Sequence, residues 1–187
     1  MNSNRDTNSP VKVRVVLATA DGHPLGENLW AVHQPGLPER YTLHNNAFGA
    51  SLRLGDVVRT ELDGCGKPQV VAVASLHPGP VSVVELPPDL PGEEICRIAD
   101  SWRTLGAEYS EGNGDMLVTA WVATATAQSV CEVIAATAPG WRLVDVATTP
   151  IRAARLTQEL DVRVDRRTPA DLRAEHDAVC DCERRQP

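Results

Sequence analysis

Two segments decide the predicted fold: residues 93–105, EEICRIADSWRTL, and residues 126–138, TAQSVCEVIAATA. Apolar side chains recur at helical spacing in both, as Ile95, Ile98, Ala99 and Trp102 in the first and Val130, Val133, Ile134 and Thr137 in the second. Each segment therefore predicts an amphipathic helix that buries one face. The segments lie 35 residues apart and form a faint internal repeat, in which Cys96 and Cys131 take equivalent, predicted buried positions.

Each predicted helix lies between predicted strands, at residues 81–85, 107–111, 116–122 and 141–147. The segment Gly112-Asn113-Gly114 is typical of a hairpin turn between the middle two strands. Two strand–helix–strand halves in tandem predict a ferredoxin-like βαββαβ unit over residues 81–150, with both helices on one face of an antiparallel sheet. The other face needs a cover, and a barrel, a second subunit and a ligand are open alternatives.

Five shorter strands precede this unit, separated by Gly/Pro turns, at residues 11–17, 27–32, 40–43, 55–62 and 68–74. Their number and spacing favour a small β-barrel-like unit over residues 11–80, so the predicted fold class is α+β. Residues 1–10 are polar and are predicted to be a disordered lead without a secretory signal. Residues 151–187 are predicted to be a helical tail, with a short helix or arm up to Leu160 and a second helix starting near Thr168.

The net charge of −7 is unevenly distributed. Residues 81–150 carry three basic and ten acidic side chains, whereas the two are balanced on either side of this range. Nucleic acid is an unlikely partner, because its binders usually present a basic patch and none occurs before residue 150. An RNA-binding reading would rest on the arginines of the tail, at Arg163, Arg166, Arg167 and Arg173. The acidic middle unit favours a basic protein partner or a solvated surface.

Five cysteines at irregular spacing argue against a disulfide framework and for a reducing, bacterial-type cytoplasm. No apolar run approaches a membrane span, so no membrane association is expected. His176, Cys180 and Cys182 are weak candidates for a metal site, because a closed zinc site needs a fourth ligand. No cofactor is expected either, because phosphate-binding glycine signatures are absent.

The stretch from Asn45 to Val58, with the only phenylalanine in a polar loop, is the most distinctive part of the sequence. A resemblance to the bacterial domain-of-unknown-function family DUF4265 rests on Leu29-Trp30-Ala31, Tyr41-Thr42-Leu43, Asn45, Phe48 and Leu54-Gly55-Asp56-Val57-Val58. The resemblance covers about residues 11–150, with Ala47 in place of the proline usual in the family. It implies a barrel-like half followed by an α+β half, and it implies no activity.

Three interpretations of this loop stay open. His44 beside Asp56 would supply a general base, which makes them weak catalytic candidates. Aromatic and amide side chains would line a small-molecule pocket, namely Trp30, Tyr41, His44, Asn45, Asn46 and Phe48. Alternatively, the asparagines make a turn, Phe48 plugs the barrel and His44 is a surface residue.

Two functions follow from these observations. The first is a non-enzymatic cytoplasmic binding or regulatory protein that acts through a protein partner or self-association. The second is a small pathway enzyme with a pocket between the barrel loop, residues 44–56, and the open face of the sheet. The absence of a nucleophile elbow or another catalytic signature favours the first function.

Overall fold

The computed structural model describes residues 9–17, 25–37 and 39–160. The strands are β1 (Val11–Leu17), β2 (Leu25–His33), β3 (Arg40–Leu43), β4 (Val57–Leu62), β5 (Pro68–Ser75), β6 (Val81–Glu85), β7 (Ala107–Asn113), β8 (Met116–Trp121) and β9 (Arg142–Ala147). The helices are α1 (Gly92–Arg103), α2 (Ala127–Thr137) and α3 (Thr149–Glu159). Residues 1–8 of the predicted disordered lead lie outside the described residues. The predicted second tail helix lies outside them as well.

Strands β1 to β5 form a closed barrel in chain order, which confirms the predicted barrel. Sequential neighbours pair antiparallel, and a parallel pairing of β1 with β5, with Arg14 opposite Gln69, closes it. Closure gives each of these strands two neighbours, so the barrel exposes no strand edge of the kind that promotes aggregation.

The barrel core consists of alternate strand residues, including Val13, Leu29 and Val58, all fully buried. Leu156 of helix α3 and Leu160, directly after this helix, belong to the same core, and Leu160 forms a bridge with Leu17 of β1. The predicted tail therefore contains an element that completes the barrel. These two leucines fill the interior of the barrel, a role that one interpretation of the sequence gave to Phe48.

Strands β6 to β9 form a second sheet in the order β7-β8-β6-β9, with every neighbouring pair antiparallel. The chain is therefore a mixed α+β protein with a closed barrel and a separate four-stranded sheet. Helices α1 and α2 pack on one face of this sheet through Ile98, Trp102, Val130 and Ile134. These are side chains of the two predicted apolar stripes, so the helical periodicity located the second core correctly.

Three of the four tryptophans lie in this second core. The ring centroid of Trp102 is 5.8 Å from that of Trp121 and 5.5 Å from that of Trp141. Trp102 Nε1 donates to Thr137 Oγ1 over 2.7 Å, and Trp121 Nε1 donates to Ser82 Oγ over 2.9 Å. Both indole N–H groups thus have partners, as buried tryptophans require.

Local signals explain where the two core helices begin and end. Thr126 and Ser129 form a reciprocal capping box that starts α2. Gly106, with φ of +104°, follows α1 in a left-handed conformation that glycine adopts without strain. Cys96 is exposed, so its predicted burial is wrong. Cys96 comes one residue after the inward-facing Ile95, so its side chain is rotated by about 100° around the helix axis, away from the core.

Candidate binding cleft between the barrel and the sheet

The barrel covers part of the second face of the sheet through the loop that connects β3 to β4. Asn46 donates from Nδ2 to the carbonyl oxygen of Val118 in β8, over 3.2 Å. Its Oδ1 accepts from the Leu54 N–H over 3.0 Å, and its own N–H donates to Glu111 Oε2 in β7. Asn45 accepts from the Trp30 N–H at 2.8 Å and donates to Glu111 Oε1. Both asparagines therefore join the loop to its neighbours.

A fully buried arginine strengthens the same junction. Arg53 donates from Nη1 to the carbonyl oxygens of Pro78 and Trp121, at 3.2 and 2.8 Å. Its Nη2 forms an ion pair with Glu108 of β7. Burial lowers the pKa of Arg53, and Glu108 opposes that shift. The guanidinium therefore links the loop to the sheet through both hydrogen bonds and charge.

A second buried arginine, Arg152, connects α3 to the loop. Its Nε donates to the carbonyl oxygen of Ser51 and its Nη1 to that of His77, at 3.0 and 3.1 Å. Its Nη2 forms an ion pair with Asp56, and both side chains are fully buried. Asp56 also accepts from the N–H groups of Arg53 and His77, each at 2.8 Å. Burial raises the pKa of Asp56, and Arg152 opposes this rise.

Two further carboxylates hold the backbone of the loop. Glu27 of β2 accepts from the Phe48 N–H at 2.8 Å and from the Gly49 N–H at 3.0 Å. Glu159, in the last turn of α3, accepts from the Ser51 N–H at 2.6 Å and from Ser51 Oγ at 2.8 Å. Charged acceptors make these hydrogen bonds stronger than neutral ones. Loop, barrel and helix are therefore held in one arrangement.

This arrangement leaves a cleft of about 150 Å³ between the loop, the sheet and α3. Residues 47–51 of the loop form one wall. The floor is apolar and belongs to the sheet face that points away from α1 and α2, with Val81, Val83, Val118 and Ala147. Arg152, Arg155 and Glu159 of α3, together with Asp145 of β9, provide the charged side chains.

The charged side chains of the cleft are paired with each other or with the loop. Arg155 forms an ion pair with Asp145, and its Nη2 donates to Asp145 Oδ1 over 3.1 Å. The Asp145 side chain raises the pKa of Arg155. Arg155 is 41% exposed and Asp145 29% exposed, so both reach solvent from the cleft. An apolar floor with a few polar groups beside it is the usual composition of a small-molecule site.

The structure separates the six residues that the sequence placed in one pocket. Phe48 alone among them lines the cleft. Trp30 is 48% exposed on the outside of the barrel, with Lys12 Nζ 5.0 Å from its ring centroid. It points outward because its neighbours Leu29 and Ala31 point inward and side chains alternate along a strand.

Tyr41 faces the barrel, where its ring centroid is 5.3 Å from that of His33. Asn45 and Asn46 are buried, with their amides bonded within the protein. A pocket lined by all six residues is therefore wrong. The asparagines bind the sheet because their loop lies across it.

The two weak catalytic candidates differ in environment. His44 is exposed, whereas Asp56 is fully buried beneath Arg152. The hydrogen bonds of Asp56 go to Arg53, His77 and Arg152, and none between His44 and Asp56 occurs in the described part of the chain. A catalytic role for the pair stays a prediction, without a contact in its support.

None of Arg152, Arg155 and Glu159 belongs to the residues predicted from the sequence. Their spacing of three and four residues places them on one side of a helix, so a charged stripe was visible. The stripe alone is also typical of a solvated surface. Its position over the cleft depends on how α3 folds back onto the barrel, which no local pattern specifies.

The metal candidates His176, Cys180 and Cys182 lie outside the described residues. Within residues 9–17, 25–37 and 39–160, no group of three or more His, Cys, Asp or Glu side chains is placed to hold a metal ion. None of the helices in these ranges is both long enough and apolar enough to cross a bilayer.

Comparisons with known proteins bear on the fold. No family model matches the sequence, and no curated protein matches it either. Among solved structures, the chain is similar to a hypothetical protein from Neisseria gonorrhoeae, with a TM-score of 0.54 and 13% sequence identity. The similarity covers 73% of this chain and 93% of that chain. At this identity the match supports the shared mixed α+β architecture alone.

Proposed function

We propose that this chain is a non-enzymatic binding protein and that it binds a small molecule in the cleft between the barrel and the sheet. One observation carries the proposal: three separate elements converge on an apolar floor with charged side chains beside it. Sites at the junction of structural units are common places for ligands. The alternative enzyme would have its pocket in the same region, between the loop and the open face of the sheet.

Binding is favoured over catalysis by the state of the ionisable groups. Asp145 is bound to Arg155, and Glu159 accepts two hydrogen bonds from Ser51. Asp56 lies beneath Arg152 and is fully buried. These contacts fix the position of each carboxylate, and Asp145 and Glu159 keep lone pairs with which to bind a ligand. General-base catalysis needs in addition a substrate proton within hydrogen-bond reach.

The sequence also suggested a protein partner or self-association, on the basis of the acidic middle unit. At least five of its ten acidic side chains form ion pairs within the chain: Glu85, Glu94, Glu108, Asp100 and Asp145. Three of these acids pair with arginines of the same unit, which its net charge already includes. The pairs with Arg53 and Arg155 therefore lower the charge available to a basic partner by two. Light scattering at low and high salt tests this mode of action, and a monomer with no partner would contradict it.

A specific observation favours the enzyme alternative. Ser51 Oγ donates to Glu159 Oε1 over 2.8 Å beside the cleft, which is the contact that a nucleophile makes with a base. In that case Ser51→Ala would abolish turnover while leaving thermal unfolding close to that of the wild type. A carboxylate is a weaker base than the histidine that usually activates serine, so we place this function second.

We further infer a ferredoxin-like arrangement for the second unit. Its strand order, antiparallel pairing and two helices on one face support this inference. We also propose that the chain belongs to the bacterial DUF4265 family and that it is located in the cytoplasm. They rest on the loop and strand residues quoted above and on the irregular cysteine spacing.

A cleft-filling substitution tests the binding function. Ala147→Leu places a larger side chain on the floor of the cleft, and Ala154→Leu makes the same change at an exposed position of α3. Small-molecule fragments that shift the amide resonances of residues 47–51 in the wild type should not shift them in the Ala147 variant. Ala154→Leu should behave as the wild type. Fragments that bind both variants equally would refute the cleft as the site.

Ala147→Val is a smaller change, for use if the leucine variant unfolds. Thermal unfolding of each variant is measured before any titration, so that loss of binding is separated from loss of structure.

A further inference from the structure

The charges that line the cleft are of both signs. Arg155 contributes one positive charge, and Asp145 and Glu159 contribute two negative charges. Arg152 also lines the cleft, but it is fully buried and its charge is neutralised by the buried Asp56. Opposite charges side by side in one small cleft favour a ligand that itself carries both signs.

The cationic side has hydrogen-bond donors beyond those that the fold uses. A guanidinium has five N–H donors. Arg155 directs its two terminal nitrogens towards Asp145 and is 41% exposed, so donor capacity remains on this side chain. Arg152 is fully buried, and its hydrogen bonds go to Ser51, His77 and Asp56. The planar guanidinium of Arg155 matches the geometry of a ligand carboxylate.

The anionic side has acceptor capacity in the same way. Each carboxylate offers about four lone-pair positions. Glu159 receives two hydrogen bonds from Ser51, and Asp145 receives its two from Arg155. Each carboxylate therefore has lone pairs left for an ammonium group, which donates three hydrogen bonds.

Size and floor restrict the rest of the ligand. A cavity of about 150 Å³ is known to hold a molecule the size of benzene, so the cleft suits roughly six to eight non-hydrogen atoms. Val81, Val83, Val118 and Ala147 give it an aliphatic floor, and Phe48 adds an aromatic wall. Because the cleft opens to solvent, this volume limits the part of a ligand that can be buried in it.

We propose that the ligand of the cleft is a small zwitterionic amino acid with a short aliphatic side chain, an inference that rests on the proposed binding function. The α-carboxylate binds Arg155, and the α-ammonium binds Glu159 and Asp145. The aliphatic side chain lies on the valine floor. Recognition therefore requires both charged groups on one small molecule.

The test uses three ligands that differ by one charged group. L-valine carries both groups, isobutylamine lacks the carboxylate and isovalerate lacks the ammonium. Each is titrated into the full chain while the amide resonances of Phe48, Gly49 and Ser51 are followed. We expect L-valine to bind about tenfold or more tightly than either half-ligand, because each missing group loses a charge-assisted hydrogen bond.

Two variants assign the roles within the site. Arg155→Met should reduce the affinity for L-valine to about that for isobutylamine, and Glu159→Gln should reduce it towards that for isovalerate. Arg103→Met removes an exposed arginine from α1, remote from the cleft lining, and should change nothing.

The outcomes separate this inference from the function on which it rests. If a half-ligand shifts the cleft amides as strongly as L-valine does, the zwitterion inference is wrong and binding in the cleft stands. If isobutanol, a neutral probe of similar size, is the best ligand, the conclusion is the same. If none of the four shifts these amides at high millimolar concentration, both proposals fail.

Discussion

Arg152→Met is the substitution that tests most directly how the barrel and the sheet are held together. Methionine keeps much of the aliphatic stem and removes the guanidinium, which bonds to Ser51, His77 and Asp56. Asp56 then stays fully buried without its counter-ion. Removal of one partner from a buried ion pair costs about 3–5 kcal/mol, which for a chain of this length lowers Tm by about 6–20 °C.

Thermal unfolding followed by circular dichroism at pH 7 measures this loss. Arg155→Met is the matched control, because Arg155 lies on the same helix in an ion pair with Asp145 but is 41% exposed. An exposed pair contributes about 1 kcal/mol at most, so this variant should lose only a few degrees. The two substitutions are chemically identical, and the difference between them reports burial.

The pH dependence of the Arg152 variant has a defined sign. Burial raises the pKa of Asp56 and Arg152 opposes the rise, so removing Arg152 moves the pKa further up. Between the ordinary carboxyl pKa of about 4 and this raised value, the folded variant binds more protons than the unfolded chain. Its stability therefore increases as the pH falls through this raised pKa, and the penalty shrinks.

Two results would refute this reasoning. One is a loss in Arg152→Met that is no larger than the loss in Arg155→Met at pH 7. The other is a penalty that grows as the pH falls, because protonation of Asp56 would then not relieve the uncompensated charge.

Three further substitutions have defined outcomes. Gly79→Ala should lower the free energy of unfolding, measured by chemical denaturation, by more than about 1 kcal/mol. The backbone has φ of +106° at Gly79, and the added Cβ would overlap the carbonyl oxygen of Trp121. Trp102→Ala should cost about 3–5 kcal/mol in the same assay, because the side chain is fully buried. Glu27→Ala should speed hydrogen exchange of the Phe48 and Gly49 amides about tenfold, because both lose a charged acceptor.

Each of these predictions has its own control. Gly64→Ala, where a Cβ meets nothing within 4 Å, should stay within about 0.5 kcal/mol of the wild type. Equal losses at both glycines would contradict the steric argument. Trp102→Ala should leave the core of the barrel intact, so a molten barrel would show that the two cores are not separate. Unchanged exchange at Phe48 and Gly49 would exclude Glu27 as their acceptor.

Most of the secondary structure could be predicted, because its signals are local. The period of Ile95, Ile98 and Trp102 fixed α1 to within two residues at each end, since a stripe at that spacing can be buried only on a helix. Turn residues at Gly112-Asn113-Gly114 marked the β7–β8 hairpin, although the strand extends to Asn113. Cys96 was wrongly predicted to be buried. The general preference of cysteine for the interior does not decide burial on a helix, where the angular position of the residue does.

The cleft could be predicted only in outline. Its place between the loop and the sheet follows from an uncovered sheet face that needs a partner. Its charged residues could not be found, because Arg152 and Ser51 are 101 residues apart and meet only after α3 folds back. Asn45 and Asn46 were assigned to a pocket for the same reason. Their hydrogen bonds to β2, β7 and β8 form only in the folded chain.

The sequence by itself determined the order of strands and helices, the five strands of a barrel-like unit and the apolar stripes that form the second core. These depend on periodicity and turn chemistry within short windows. The tertiary structure alone decided that Leu156 and Leu160 complete the barrel. It also decided that Arg53 and Arg152 are buried where the loop between β3 and β4 meets the sheet and helix α3. A buried arginine is stable only where distant carbonyls and carboxylates converge on it, and that convergence is a property of the folded chain.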